Sequence, residues 1–536
     1  MLGPAPTVEQ VFRQRRVEKF TRLRKLRTWW RDNQKWLVTA ALFAFCVAPT
    51  FISYQPCILT WDDADYLEKS IKVSQILWSG SLHGLRWTMA GGGGAIRPPA
   101  MTLLGLPWGP LASWDAAGKC FITLAAVISL LAASCLYLLL RIGVKPFFLV
   151  LASVCVGASL GPYPHAGETH DLATGFWADS LFAWTALAAL LLISYEARTP
   201  CPLIRDAVLR GIGWGLILSL GVMTKLSFVY FIVFIVPILL IINSYHSGLR
   251  STIAAFIAFA CCSAPASVYL LLWGRPAFLN AKAASFGEDA QFYYSPLLGF
   301  LGDAVRDAPG LVLSFVLTTA ALMYIVIKRR LIQSWPDFLA LLIIIGFGIV
   351  VLASPNRDIR YSFPAIVALP YLAAILLSGK GHPAPRPSAA LAAGLVFCGL
   401  LAAGVPTGHR ANRQSIIRSD AVLAQAVRCN AKRILLATVS STLNWPLINL
   451  AIAVSASRDT VEIGSVAYDA IHGMPIEESF RAIRESDLVV FQDRDALSPP
   501  WANQRVSEYE RYIRHGGYVP IKVEDDVSVY SIQCRP

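Results

Sequence analysis

The chain has 536 residues, of which 55% are hydrophobic and only 15% are charged. A soluble chain carries about 25% charged residues, and continuous apolar runs of about 20 residues recur here, so the composition excludes a soluble globule, a disordered chain and an alternating transmembrane β-barrel. The net charge of +13 does not indicate nucleic acid, because the basic excess lies wholly in residues 1–405 and residues 406–536 are balanced.

The chain begins with a basic segment, residues 1–35, which contains ten Lys and Arg against three acids. No short apolar core with a cleavage site follows at the distance typical of a signal peptide. The segment is therefore expected to stay on the protein, either as a cytosolic anchor or as a helix lying on the membrane surface.

The next part, residues 36–405, is expected to form a transmembrane domain of about eleven helices. The intracellular segments between these helices would hold 21 Lys and Arg against 6 acids, and the external ones 11 against 13. This asymmetry places the N-terminus in the cytosol and the C-terminal tail outside. The predicted spans lie near 36–55, 116–140, 146–162, 177–195, 211–224, 227–243, 251–273, 310–327, 338–354, 364–378 and 389–405.

The tail, residues 406–536, is expected to be an extracytoplasmic α/β domain with a mainly parallel sheet. No glycine-rich phosphate loop follows its first strand, so a nucleotide site is unsupported. A disulfide between Cys429 and Cys534 is one of the pairings open to its cysteines. The candidate strands are Arg433–Ala437, Val461–Val466, Asp487–Phe491 and Val527–Ile532, and the candidate helices are Ser441–Ala456, Pro475–Glu485 and Asn503–His515.

Two external loops, 55–114 and 161–178, hold the acidic candidates for chemistry. Asp62, Asp63 and Asp65 follow the first span, and three carboxylates in four residues would raise at least one pKa. Such a cluster suits a proton acceptor or a cation site. The alternative is a solvated acidic loop start that helps to set topology.

The second loop would bring further metal ligands to the same face. Glu168, His170 and Asp171 could join the first loop in holding Mg²⁺ or Mn²⁺, or with His165 could hold Zn²⁺, although the spacing matches no closed zinc motif. The alternative is a polar loop that caps its helices. A metal requirement therefore stays open at this stage.

Three cations lie where loops meet the membrane. Lys225 interrupts the apolar stretch 216–242, and a turn there would bring it to the external surface. With Arg97 and Arg360 it would form a seat for a phosphate attached to a lipid. The alternative for each residue singly is a side chain that snorkels to the membrane surface.

In this order, the motifs resemble those of the GT-C glycosyltransferases, most closely the protein O-mannosyltransferase and lipid A aminoarabinose transferase group. The resemblance covers roughly residues 36–378, and no single motif is specific. It rests on Trp61-Asp62-Asp63-Ala64-Asp65-Tyr66, Arg97-Pro98-Pro99, Ala178-Asp179-Ser180-Leu181, Thr224-Lys225, and Asn356 through Pro364.

The resemblance implies that the acidic pair Asp62 and Asp63 is catalytic, that the donor is a sugar on a polyprenyl phosphate, and that Lys225 and Arg360 contact the donor phosphate. Here the second acid is Asp rather than the common Glu, which leaves open which carboxylate is the base. A polyprenyl phosphate leaves with added negative charge, which fixed cations stabilise. One carboxylate suffices to deprotonate the acceptor, and direct displacement inverts the anomeric centre.

The resulting hypothesis is a hexosyl or pentosyl transferase of a bacterial plasma (inner) membrane, with the endoplasmic reticulum as a second choice. Its acceptor would be a glycolipid, a polysaccharide or a protein at the external face. Arg97 would join Lys225 and Arg360 at the donor, and Asp65, Glu168, His170 and Asp171 would serve the acceptor or a metal. The rivals are a lipid or sugar transporter or flippase without chemistry, and a scaffold whose outer domain binds a partner.

Overall fold

The computed structural model describes a chain that is mostly helical, with a small C-terminal sheet. The predicted spans 36–55 and 389–405, the segment 1–35 and Arg97 lie outside the described residues. The described residues are 61–81, 98–104, 106–108, 113–157, 162–165, 168–171, 178–199, 203–286, 296–307, 309–327, 335–355, 359–379, 409–440, 442–455, 461–469, 473–492, 505–531 and 534.

The predicted external loop 55–114 contains a long helix, α1 (Trp61–Trp78), which sequence reasoning did not anticipate. Ala64, Leu67 and Ile71 are fully buried along one side of it. Their spacing of three and four residues is the helical period. The acidic motif therefore occupies the first turns of a helix that is anchored in the core by its own apolar face.

A short helix, α2 (Ala100–Leu103), packs against α1. Two serine hydroxyls of α1 hold the chain around it: Ser70 donates to the Met101 carbonyl at 2.8 Å and Ser74 donates to the Leu106 carbonyl at 2.8 Å. Both bonds join α1 to the segment 101–106. The two ends of the loop are thereby fastened together.

In the residues that the structure describes, ten further α-helices follow between 114 and 378. In the part of the chain that the structure describes, six are long and apolar enough to cross a membrane, namely α5, α6, α7, α10, α11 and α12, so the predicted count of eleven is not confirmed. The bounds are α3 (Trp114–Ile142), α4 (Pro146–Gly157), α5 (Ala178–Arg198), α6 (Ile204–Thr224), α7 (Val229–Cys262), α8 (Ala264–Phe286), α9 (Leu297–Asp307), α10 (Pro309–Ile327), α11 (Trp335–Ala353) and α12 (Phe363–Ser378).

The predicted span 146–162 begins with α4, which the structure describes over 12 residues. The break predicted between 227–243 and 251–273 is present, because the chain turns inside α7 at Gly248, where φ is 79°, a conformation that glycine adopts without steric cost. The run 251–273 is divided at Ser263, between α7 and α8.

Helices α5 and α12 form the centre of the helical domain. Both are buried along almost their whole length, and they pack against each other. The other long helices bury one face and leave large apolar side chains exposed on the opposite one. An apolar helix surface of this kind suits contact with lipid.

The predicted loop 161–178 contains an antiparallel hairpin of strands β1 (Pro162–His165) and β2 (Glu168–Asp171). In its register His165 pairs with Glu168, and Pro162 pairs with Asp171. Three predicted metal or acceptor ligands, Glu168, His170 and Asp171, thus share one short strand. Their side chains lie outside the described part of the structure.

The C-terminal residues form a five-stranded sheet in the order β4-β3-β5-β7-β6. The four predicted strands are present, but β6 was missed because it is an exposed edge strand with few buried apolar positions. β3 runs parallel to β4 and β5, while β7 runs antiparallel to β5 and β6, so the expectation of a mainly parallel sheet holds for half of it. The bounds are α13 (His409–Arg428), β3 (Arg433–Leu436), α14 (Trp445–Val454), β4 (Glu462–Ser465), α15 (Val466–Asp469), α16 (Ile476–Glu485), β5 (Leu488–Gln492), α17 (Val506–His515), β6 (Val519–Glu524) and β7 (Val527–Ser531).

A disulfide joins Cys429 to Cys534, so this pairing is confirmed. It ties the end of α13 to the C-terminal end of the chain, across 105 residues of sequence. Closing so long a loop stabilises a domain mainly by restricting its unfolded chain. Such bonds persist chiefly in oxidising compartments.

Candidate active site

Lys225 lies at a sharp break between two membrane helices. It follows α6 in an extended conformation and precedes a 3-10 turn, Leu226–Phe228, that leads into α7. The Lys225 N–H donates to the Gly221 carbonyl at 2.9 Å, and the Phe228 N–H donates back to Lys225 at 2.9 Å. A Cβ added at Gly221 would lie 2.4 Å from the Phe228 ring, so a glycine is needed for the turn to close.

The ammonium of Lys225 forms an ion pair with Asp179, in the first turn of α5. The Asp179 residue is only 6% exposed, so its charge needs this partner. Burial lowers the pKa of Lys225, but Asp179 and Tyr361 together outweigh that effect, and the net pKa is raised. The lysine therefore stays charged through the physiological pH range.

Tyr361 brings a second cation, Arg360, to the same place. The Lys225 Nζ lies 4.7 Å from the centre of the Tyr361 ring, and the Arg360 Cζ lies 5.1 Å from it. The Arg360 guanidinium also donates to the Tyr361 hydroxyl at 3.2 Å. Both cations thus share one aromatic ring, which favours positive charge at its face.

Aromatic side chains pack against one side of Lys225. Its Nζ lies 5.7 Å from the ring centre of Phe182, which is itself 1% exposed. The Phe182 ring packs edge-on against Phe228 at 5.9 Å and Phe347 at 5.8 Å. These packed rings exclude water from one side of the ion pair, and charge interactions are stronger where water is excluded.

Together these described residues bring two positive charges, Lys225 and Arg360, beside the single carboxylate of Asp179. The cluster can bind a doubly charged phosphate monoester or stabilise a phosphate that leaves during a reaction. The structure thus brings together two of the three cations predicted to hold a phosphate. The third, Arg97, lies outside the described residues, two positions before the described Pro99 that precedes α2.

The acidic motif lies at the start of α1. Asp62 and Asp63 occupy its first turn, but their side chains lie outside the description. Asp65 is 8% exposed and its Oδ2 accepts from Lys69 Nζ at 3.1 Å. Asp65 is therefore already engaged within its own helix, and its service to an acceptor or a metal stays a prediction.

Shared neighbours link α1 to the Lys225 turn. The α2 helix, fastened to α1, also contacts α6, which ends at Thr224. On another side, the phenol of Tyr66 lies close enough to Tyr269 of α8 to interact with it electrostatically, and α8 contacts both α6 and the 3-10 turn after Lys225. Helix α8 therefore has contacts on both sides, with Tyr66 of α1 and with the turn that follows Lys225.

Metal ligands are not resolved as a group. Among the described side chains, no three His, Cys, Asp or Glu residues lie close enough to hold an ion. The side chains of Asp62, Asp63 and strand β2 lie outside the described part of the structure. Binding of Mg²⁺ or Mn²⁺ by Glu168, His170 and Asp171 stays a prediction.

Asp179 and Tyr361 lie within the sequence motifs, but the sequence predicted no role in the site for either residue. The signal for Asp179 was an acid that opens a long apolar helix, where an unpaired carboxylate is costly. The signal for Tyr361 was its position directly after Arg360. Neither signal could show that both residues face Lys225, because they lie 46 and 136 positions away from it in sequence.

No protein-family model and no curated protein matches this sequence. Among solved structures, the chain is similar to ArnT from Cupriavidus metallidurans bound to undecaprenyl phosphate, at 12% identity and a TM-score of 0.51. The match covers 92% of this chain and 98% of that one. It is also similar to the apo oligosaccharyltransferase of Archaeoglobus fulgidus, at 11% identity, with a TM-score of 0.42 over 87% of this chain and 70% of that one.

The match to ArnT shows that the two chains share a fold. The GT-C fold expected from the sequence motifs is therefore confirmed, as is a membrane protein built on it. The match also extends further than the expected residues 36–378. Residues 1–405 make up only about three quarters of the chain, so a match over 92% includes much of the C-terminal domain as well.

Proposed function

We propose that this chain is a membrane glycosyltransferase that moves a sugar from a polyprenyl-phosphate carrier to an acceptor hydroxyl at the external face. The observation that carries the proposal is the convergence of Lys225 and Arg360 on Tyr361, at a break between membrane helices in an ArnT-like fold. A fixed pair of cations beside apolar helices suits a phosphate with a lipid tail. The undecaprenyl phosphate bound by ArnT supports the same class of carrier.

In the proposed reaction, the acceptor oxygen attacks the anomeric carbon of the donor sugar. The bond from that carbon to the phosphate oxygen breaks, and its electron pair leaves with the polyprenyl phosphate. Lys225 and Arg360 stabilise the negative charge that develops there. Asp62 or Asp63 takes the proton of the acceptor hydroxyl, and displacement from the opposite side inverts the anomeric centre.

The proposed orientation places the N-terminus in the cytosol and the C-terminal domain outside, in a bacterial plasma membrane. The charge asymmetry between predicted loops supports it. The Cys429–Cys534 disulfide also supports it, because cytosolic proteins rarely keep such bonds. The site would then face the compartment in which external glycolipids, polysaccharides and proteins accept sugars.

The test is transfer by the purified full-length protein in lipid nanodiscs, supplied with labelled polyprenyl-phosphate sugars and candidate acceptors. We expect label to leave the lipid, and Asp62→Asn with Asp63→Asn to reduce transfer by about 10²-fold or more, as loss of a general base does. Asp206→Asn, at an exposed position in the first turn of α6, is the matched control and should transfer normally.

Three outcomes would count against the proposal. Normal turnover by the double variant would remove the acids from the mechanism. Movement of intact lipid across vesicles without loss of its sugar would favour a transporter or flippase, and binding of an acceptor without either would favour a scaffold. Adding EDTA to one arm tests the predicted use of Mg²⁺ or Mn²⁺.

A further inference from the structure

Helix α14 of the C-terminal domain is buried on more than one side. It starts at Asn444, whose side chain accepts from the Leu447 N–H at 3.1 Å, and every residue of the helix except Asn449 is apolar. A helix that is apolar nearly all round belongs between two packed surfaces. The helix therefore has more to cover than the sheet of its own domain.

The two surfaces are distinct hydrophobic cores. Ile448 is buried in the core of the C-terminal domain, with Leu436 of β3 and Val490 of β5. Other positions of the same helix belong instead to the core of the helical domain, together with the buried face of α1. These positions are Leu447, Leu450, Ala453 and Val454.

Contact between α14 and α1 is direct. The two helices pack together, and the Gln75 side chain of α1 donates to the Ala453 carbonyl at 3.3 Å. A second tie lies nearby, where the Trp114 indole at the start of α3 donates to the Asp420 carboxylate at 3.2 Å. These contacts attach the C-terminal domain to α1 and to the start of α3.

Behind α14, a buried polar network fixes its first turn to the sheet. The Ser440 hydroxyl donates to the Gln492 side chain at 2.6 Å, and the Gln492 amide donates to Asp526 at 3.1 Å. Arg418 pairs with Asp526 and donates to Thr442. The Asn444 side chain, which caps α14, donates to the Ser440 carbonyl at 3.1 Å, so this network connects the start of α14 to the sheet.

We infer that the C-terminal domain is a positioning element of the active site: α14 holds α1 in place, and with it the helix turn that carries Asp62 and Asp63. This inference rests on the proposed function of those aspartates. The residues of the phosphate seat lie on other elements: Asp179 on α5, Lys225 directly after α6, and Arg360 in the turn before α12. Loosening α14 should therefore disturb the acids and leave the phosphate seat in place.

The test compares two substitutions on one helix. Leu450→Ala removes apolar volume from the contact with the helical domain, and Ile448→Ala removes the same number of carbons from the domain's own core; both residues are fully buried. Each variant is assayed for kcat and KM of transfer, and for hydrogen exchange of the backbone amides in α1.

We expect Leu450→Ala to increase exchange in α1 and to lower kcat by about tenfold to 10²-fold, because a shift of about 1 Å in a reacting group costs that much. KM for the lipid donor should stay within about twofold, since Lys225 and Arg360, which the proposed function assigns to its phosphate, lie on other elements. Ile448→Ala should leave kcat and exchange in α1 near wild type. Gln75→Ala, a milder change, should act in the same direction as Leu450→Ala if that variant fails to fold.

Faster exchange in α1 with an unchanged kcat would overturn the inference. An equal loss of kcat in Ile448→Ala would overturn it as well, because the stability of the C-terminal domain would then explain both variants. Unchanged exchange in Leu450→Ala would also overturn it, whatever the activity. A wild-type protein that transfers no sugar would instead count against the proposed function, while the exchange data would still report whether α14 holds α1.

Discussion

A lysine within an apolar stretch can extend its side chain to the membrane surface, or it can pair with an acid where the chain turns. Lys225 does the second: it lies at the turn after α6 and pairs with Asp179. Because the Asp179 carboxylate is buried, substituting either Asp179 or Lys225 alone is expected to destabilise the protein. Removing one partner leaves the other charge buried without compensation, which costs about 3–5 kcal/mol.

Replacing Lys225 therefore has separable effects on stability and transfer. Lys225→Met should lower the melting temperature and reduce transfer by about 10²–10³-fold, the usual cost of losing one group that stabilises developing charge. Adding Asp179→Asn should recover most of the stability but not the transfer. Thermal unfolding and labelled-donor assays of the single and double variants measure both. Recovery of transfer in the double variant would remove Lys225 from the phosphate seat.

The other end of α5 offers a matched control. Arg198 donates to Asp337 of α11 at 2.7 Å, and Ser194 donates to the same carboxylate at 2.6 Å. This pair is buried like Lys225–Asp179 but lies at the opposite end of the helix. Arg198→Met with Asp337→Asn should change stability and spare transfer. A comparable loss of transfer would show that the first result reports only the packing of α5.

At the scale of elements, one hydrogen bond between the C-terminal domain and the helical domain is accepted by a carboxyl near the surface, that of Asp420. Burial raises the pKa of Asp420, and the hydrogen bond from Trp114 only partly opposes this. The folded protein thus favours the protonated form. The stability that Asp420 contributes is present below its unfolded pKa of about 3.9 and is lost as the pH rises through its higher folded value.

Asp420→Asn should remove this pH dependence. The amide oxygen can still accept from the Trp114 indole, and it carries no charge to desolvate. We expect the variant to be at least as stable as wild type near pH 7, and the difference to vanish below about pH 4. Thermal unfolding across that range measures it. A variant less stable than wild type at neutral pH would mean that the charge itself strengthens the attachment.

At the scale of the molecule, one chain combines a domain of long apolar helices, a helix that begins with acidic residues, and a disulfide-bonded C-terminal domain. The proposed reaction requires that the cation cluster and the C-terminal domain lie on the same side of the membrane. The packing of α14 on α1 favours this arrangement, because a helix shared by two cores leaves no room for a bilayer between them.

Reporter fusions test the orientation. A fluorescent protein that folds only in the cytosol should fluoresce at the N-terminus, and alkaline phosphatase, which needs an oxidising compartment for its disulfides, should be active at the C-terminus. Activity of the phosphatase only at the N-terminus would reverse the proposed orientation. Placement of both ends in the cytosol would contradict the odd number of spans predicted from the sequence.

Predictions from the sequence succeeded where local patterns carry the information. Apolar runs predicted α5, α10 and α12 nearly to the residue, and alternation of strands and helices predicted most of the C-terminal sheet. They failed for α1, because its four acids and two lysines give the helix weak hydropathy even though one of its faces is apolar and buried. The edge strand β6 was missed for a similar reason.

By itself, the sequence determined the membrane class, the external placement expected of the acids, and the two cations suited to a phosphate, since residue type and hydropathy are local properties. Only the tertiary structure decided that Asp179 pairs with Lys225, that Lys225 lies against the Tyr361 ring, and that α14 contacts α1. Those contacts join residues far apart along the chain. Their energies depend on burial and mutual distance, which exist only once the helices have packed.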